Sequence, residues 1–108
     1  MDHELLGDLN DADMRIFQNK ARLGIMTLLI TMGPSDFSSL KSQLKITDGN
    51  LGAHLRVLEE AGYLKAEKSF VGRKPRTGCR ITDKGREAFL NYLKQLETVI
   101  KMVDPEKP

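Results

Sequence analysis

At 108 residues, with 40% apolar and 30% charged side chains, the chain has the composition of one compact soluble domain with a short extension. A single cysteine, Cys79, excludes an internal disulfide and any cysteine-cluster metal site, and His3 and His54 lack ligand spacing, so no metal and no cofactor is expected. The net charge of +2 hides an uneven distribution: residues 1–14 hold five acids and no Lys or Arg, whereas residues 64–86 hold eight Lys and Arg against Glu67 and Asp83, a local +6.

No apolar run approaches the roughly 20 residues that span a bilayer. The acidic N-terminus lacks the basic-then-apolar order of a signal peptide. A cytoplasmic location without a membrane partner is expected.

Leu5, Leu6 and Leu9 followed by Met14, Ile16 and Phe17 suggest a short first helix. Asn19 opens a clearer one, with Leu23, Met26, Leu29 and Ile30 at helical spacing and Gly33-Pro34 as its stop. Ser35 or Asp36 can cap the next, where Phe37, Leu40 and Leu44 form the buried stripe. After the short Lys45-Ile46 connection, Thr47 can cap a helix running to about Ala61, stopped by Gly62. Leu51, Leu55 and Leu58 share its buried face, and Asn50, His54 and Arg56 are expected outward.

Helical periodicity then ceases. Residues 63–70 and 77–81 read as two strands joined by the Gly- and Pro-bearing turn VGRKPR. Thr82 can cap a last helix to about Met102, whose apolar Phe89, Tyr92, Leu93, Leu96, Val99, Ile100 and Val103 recur at steps of three and four. Cys79, alone on a strand, reads first as a small buried hydrophobe and only second as a redox switch.

Three helices, a hairpin with a cationic tip and one long helix are the order of a winged helix-turn-helix. The expected class is therefore α+β, mainly α, with a three-helix core, a two-stranded wing and a long C-terminal helix. An N-terminal helical extension is expected over 1–18, the DNA-binding domain over 19–82 and a dimerisation helix with its tail over 83–108.

A helix on such a core can enter the major groove, about 12 Å wide, while the wing lays cations along phosphates or into the minor groove. The helix after Thr47 suits that role because its first half is small and polar. The candidate DNA contacts are Thr47, Asp48, Gly49, Asn50, Ala53, His54 and Arg56 there, and Lys68, Arg73, Lys74 and Arg76 on the wing. Gly49 and Gly52 each cost roughly 1 kcal/mol of helix stability relative to alanine, which either a close approach to DNA, or a tight turn at Gly49 and a close helix crossing at Gly52, would explain.

The last helix carries its apolar stripe past the point where the domain core should end. Packing against the same helix of a second copy would bury Phe89, Leu93, Leu96, Ile100 and Val103, and folding back onto the domain's own first helices is the alternative. No nucleophile–base pair, paired carboxylates or phosphate-cradling glycine loop is present, so catalysis is not expected. A protein-interaction module without DNA binding is the competing reading of the fold. Duplex RNA is a poorer partner, because its narrow major groove excludes a helix.

The segments ARLGIMTLL, LKITDGNLGAHLRVLEEAGYLKAEKSFVGRKPRT and ITDKGREAF carry a specific likeness. Through them, residues 20–89 resemble the small winged-helix regulators related to the MarR-like and ArsR-like families. The resemblance implies that 48–56 is the recognition helix, 71–76 the wing tip and the terminal helices a dimer interface. It implies a homodimeric transcriptional regulator whose partner is double-stranded DNA. The paired cysteines of ArsR-like metal sensors are missing, which disfavours metal sensing. The chain is short for the flanking helices of a MarR-like ligand pocket, and its residues name no effector.

Overall fold

The computed structural model describes residues 11–104 and 106. Among the described residues five helices and three strands follow in order: α1 (Ala12–Ile16), α2 (Lys20–Thr31), β1 (Ser35–Asp36), α3 (Phe37–Leu44), α4 (Asp48–Glu60), β2 (Leu64–Val71), β3 (Lys74–Ile81) and α5 (Asp83–Val103). The part of the expected first helix that holds Leu5, Leu6 and Leu9 lies outside the described residues.

Local capping sets the helix starts. Asn19, Asp36, Thr47 and Thr82 each stand in extended backbone and accept a hydrogen bond from an amide of the first turn, at Arg22, Ser39, Asn50 and Gly85 respectively. Each such oxygen satisfies a donor that the helix itself leaves unpaired, a gain of about 1 kcal/mol. Positive φ at Gly33 (80°) and Gly62 (83°) turns the chain after α2 and α4.

The three strands form one antiparallel sheet in the order β1-β3-β2. The two-stranded wing is thus joined by a third, two-residue strand, in which Ser35 and Asp36 pair with Cys79 and Gly78. Residues 35 and 36 therefore supply both a strand and the cap of α3.

Leu29 from α2, Leu40 from α3, Leu51 and Leu58 from α4, and Leu64 and Cys79 from the sheet meet in one core. Beside them Phe17 stacks on Tyr63 with ring centroids 5.2 Å apart and meets Phe89 edge-on at 5.2 Å and Tyr92 at 5.6 Å. Such aromatic pairs add about 0.5–1.5 kcal/mol each beyond their area burial. Phe17 belongs to the expected N-terminal extension, and Phe89 and Tyr92 to the expected dimerisation helix. Both flanking segments thus help to build the domain's own core.

Burial drives the Cys79 thiol up to about 11, with Glu59 and Asp36 adding to the effect. It stays protonated at neutral pH and packs as a small hydrophobe. Among the described residues, no helix is long and apolar enough to cross a membrane.

Candidate nucleic-acid interface

Helices α3 and α4 are joined through Lys45, Ile46 and Thr47, with Lys45 in the left-handed region at φ 55°. Lys41 Nζ on α3 lies 2.8 Å from Asp48 Oδ1 at the start of α4, an exposed ion pair worth at most about 1 kcal/mol. Asp48, named above as a DNA contact, therefore already has a cation beside it. Thr47 acts as a cap, its hydroxyl accepting from the Asn50 amide at 3.1 Å.

Leu51, Leu55 and Leu58 face the core, while Asp48, Gly49, Asn50, Ala53 and Arg56 are exposed. The two glycines have no packing reason among the described residues. A Cβ built on Gly49 or on Gly52 would have nothing within 4 Å, and neither residue has a positive φ. Among the described residues, neither a tight turn at Gly49 nor a close helix crossing at Gly52 accounts for them.

His54 departs from expectation. It stands three residues after Leu51 and four before Leu58, so it shares the edge of the buried stripe rather than the outward face. Its Nδ1 accepts from Arg22 Nη1 at 3.1 Å, and Arg22 Nε donates to the Ile16 carbonyl at 2.6 Å. Burial, and then the neighbouring guanidinium, hold the imidazole pKa below its usual value. The shift favours the neutral ring, and because Arg22 can only donate, that ring carries its proton on Nε2.

The wing is longer and its turn tighter than the VGRKPR segment suggested. Pairing runs without a break from Leu64 opposite Ile81 to Val71 opposite Lys74, which leaves Gly72-Arg73 as a two-residue turn. Gly72 takes φ 66°, the geometry of a turn whose twist matches the strands. Pro75 therefore lies within β3, opposite Phe70. In a two-residue hairpin the closing pair is hydrogen-bonded and the pairs alternate, so position 75 is non-hydrogen-bonded to β2. β1 ends before it on the other side, so its missing N–H removes no ladder bond.

Strand alternation divides the expected wing cations. Lys68 lies on the face that continues the core, with Phe70, Pro75 and Thr77, whereas Lys74 and Arg76 lie on the opposite face and Arg73 at the turn. Arg76 is committed within the chain: its Nε and Nη2 donate to Asp36 Oδ2 at 2.9 and 2.6 Å. The Ser39 amide, first, and the Arg76 guanidinium hold the Asp36 carboxyl below the usual carboxylate range. The pair ties the wing to the start of α3. Lys68, Arg73 and Lys74 have no ion-pair partner among the described residues.

Along α5, about 31 Å long, Phe89 is only 1% exposed and sits in the aromatic cluster, so it is a core residue and not the interface residue its spacing suggested. Leu96 packs partly against the same core. Leu93, Ile100 and Val103 are exposed, Val103 to 82%. The helix therefore folds back on its own domain over its first half and carries an uncovered apolar stripe over its second.

Sequence reasoning missed Arg22 and, although it named Asp36 as a cap, missed its pairing with Arg76. Nothing local marks Arg22 as the partner of a residue 32 positions away, or Asp36 as the partner of one 40 positions away.

Residues 21–100 match the winged helix DNA-binding domain family. An uncharacterised protein of Methanocaldococcus jannaschii is 38% identical over 91 residues, covering 84% of this chain and 99% of that protein. The structure of a transcriptional regulator homologue from Pyrococcus horikoshii is 39% identical and superposes with a TM-score of 0.85, covering 94% of this chain and 98% of that one. A transcriptional regulator from Clostridium thermocellum shares the fold at 22% identity, with a TM-score of 0.67 over 87% of this chain and 99% of its own. The chain belongs to the winged helix DNA-binding domain family and is a winged-helix transcriptional regulator.

Proposed function

We propose that the chain binds double-stranded DNA sequence-specifically as a homodimer, with α4 in the major groove and the wing on phosphates or in the adjacent minor groove. The observation that carries this reading is the outer face of α4. Gly49 and Gly52 leave backbone open there, Asn50 and Arg56 flank it, and Lys68, Arg73 and Lys74, which have no ion-pair partner among the described residues, stand on the wing. Asn50 is the base reader, because its amide can pair with the N6/N7 edge of adenine. Arg56 serves phosphate. His54, held by Arg22, offers only its Nε2–H and acts as a donor to the backbone. Asp48 and Arg76 position α4 and the wing through Lys41 and Asp36 and do not themselves touch DNA.

The wing sets the salt dependence. With Arg76 engaged by Asp36, two free cations at each tip, Arg73 and Lys74, remain for phosphates. A dimer placing all four would contribute a slope of about −3.6 in log K against log salt. Replacing Arg73 and Lys74 by alanine is expected to remove that part of the slope and weaken binding to every sequence, measured by fluorescence anisotropy across a salt series. An unchanged slope would remove the wing from the interface.

The uncovered stripe on α5 supports the dimer. Ile100 and Val103 are the cleaner probes, since both are exposed in the single chain and their loss leaves the core intact. The pair Ile100→Glu and Val103→Glu is expected to sediment as a folded monomer and to bind a two-half-site duplex far more weakly than the parent. A persistent dimer would place the interface elsewhere. Two recognition helices about 34 Å apart, one helical turn, would match successive major grooves on one side of the duplex.

A further inference from the structure

Residues 67–76 of the wing are all exposed, beyond the last core contacts of the hairpin at Leu64, Ala66, Cys79 and Ile81. From Lys68 to Val71 the ribbon runs about 10 Å at the usual rise of a strand. Near its end Phe70 is 73% exposed and Val71 57% exposed. Single exposed apolar residues are ordinary, but the placement of this one is not. Phe70 faces Pro75 across a non-hydrogen-bonded pair, where opposed side chains come closest. The pair is closed by a two-residue turn and backed by unbroken pairing. The result is a stiff apolar edge rather than a mobile tip.

Its surroundings select the partner. Lys68 shares the face of Phe70, Arg73 occupies the turn and Lys74 follows it. None of the three has an ion-pair partner among the described residues, and Glu67, next to Lys68 in the chain, is already beside Arg80 at 3.6 Å. An apolar protein surface would have to desolvate these cations without repaying them. The minor groove of a duplex offers phosphates on both rims and apolar base faces between them. Its depth of about 7.5 Å is within the reach of the ribbon.

We propose that Phe70 is a minor-groove wedge. It enters at a base step, partly unstacks it and bends the duplex, with Arg73 and Lys74 on the flanking phosphates. This rests on the DNA-binding reading above. Pyrimidine–purine steps open most easily, so the wedge adds sequence preference outside the contacts of α4.

The test uses the full chain and a duplex of about four helical turns that wild type selects from a random pool. Bending is read by energy transfer between end labels, and unstacking by 2-aminopurine scanned through the wing's footprint. Wild type is expected to bend the duplex and brighten one step. Phe70→Ala is expected to lose both signals and about tenfold in affinity, the scale of one lost aromatic–base contact. Its salt slope should be unchanged, and Phe70→Leu should recover part of the bend. Binding by wild type without bending, or a Phe70→Ala protein that bends as wild type does, overturns the wedge and leaves DNA binding intact. A Phe70→Ala protein with altered sedimentation and unaltered bending assigns Phe70 to contact between copies instead. Failure of wild type to bind any duplex at low salt removes the DNA-binding reading and the wedge together.

Discussion

Replacing Gly85 by alanine is expected to lower stability by about 3 kcal/mol or more, a drop in Tm on the order of 15 °C for a domain of this size. Gly85 lies in the first turn of α5 and is buried. A Cβ there would collide with the Tyr63 carbonyl oxygen and come within 2.7 Å of its carbon. The helix cannot withdraw, because its start is fastened to the bend after α4. The Thr82 amide donates to the Tyr63 carbonyl at 3.1 Å, and the Thr82 hydroxyl donates to the Gly62 carbonyl at 2.6 Å. The Lys84 ammonium donates to the Ala61 carbonyl at 3.0 Å. Relieving the clash therefore breaks several bonds or shifts Tyr63 out of the aromatic cluster. Thermal unfolding followed by circular dichroism gives the result directly, and a melt within a few degrees of wild type would show that α5 has room to move.

The same substitution on α4 has the opposite sign. Alanine at both Gly49 and Gly52 is expected to raise stability, by up to about 1 kcal/mol at Gly52 and less at Gly49 in the first turn. Neither new methyl meets a neighbour, and neither backbone is left-handed. DNA binding should move the other way, falling on the order of tenfold or more, because each methyl stands where backbone and duplex are to meet. Denaturant titration and anisotropy on the same preparation read both effects. A variant that is more stable and binds as tightly as wild type would show that α4 does not approach DNA at these positions.

The contrast between these glycines separates what can be read locally from what cannot. All three are helical and none has a positive φ. Only the position of Tyr63 makes Gly85 indispensable, and only the emptiness above Gly49 and Gly52 directs attention to a partner. His54 was legible in principle, since steps of three and four to Leu51 and Leu58 place it beside the stripe, although its partner Arg22 was not. Phe89 fits the apolar stripe of α5, yet only part of that stripe is buried in the core, and spacing does not say where that part ends. The VGRKPR segment reads as a wider turn than the one that forms, because glycine and proline both signal a turn and only Gly72 takes part in it, Pro75 lying within β3. That proline occupies a position where β2 asks for no hydrogen bond.

By itself the sequence determined the helices, their starting caps, the hairpin and the order that makes a winged helix, because capping and periodicity act over a few residues. The tertiary structure alone decided that 35–36 form a strand, since two residues carry no period and become a strand only by pairing with β3. It also decided which charges are free. Arg76 and Lys74 are equivalent in composition, but folding brings Asp36 to one and leaves the other in water. Local chemistry wrote the elements of this protein, and long-range contact sorted its cations into those that hold the fold and those left for a partner.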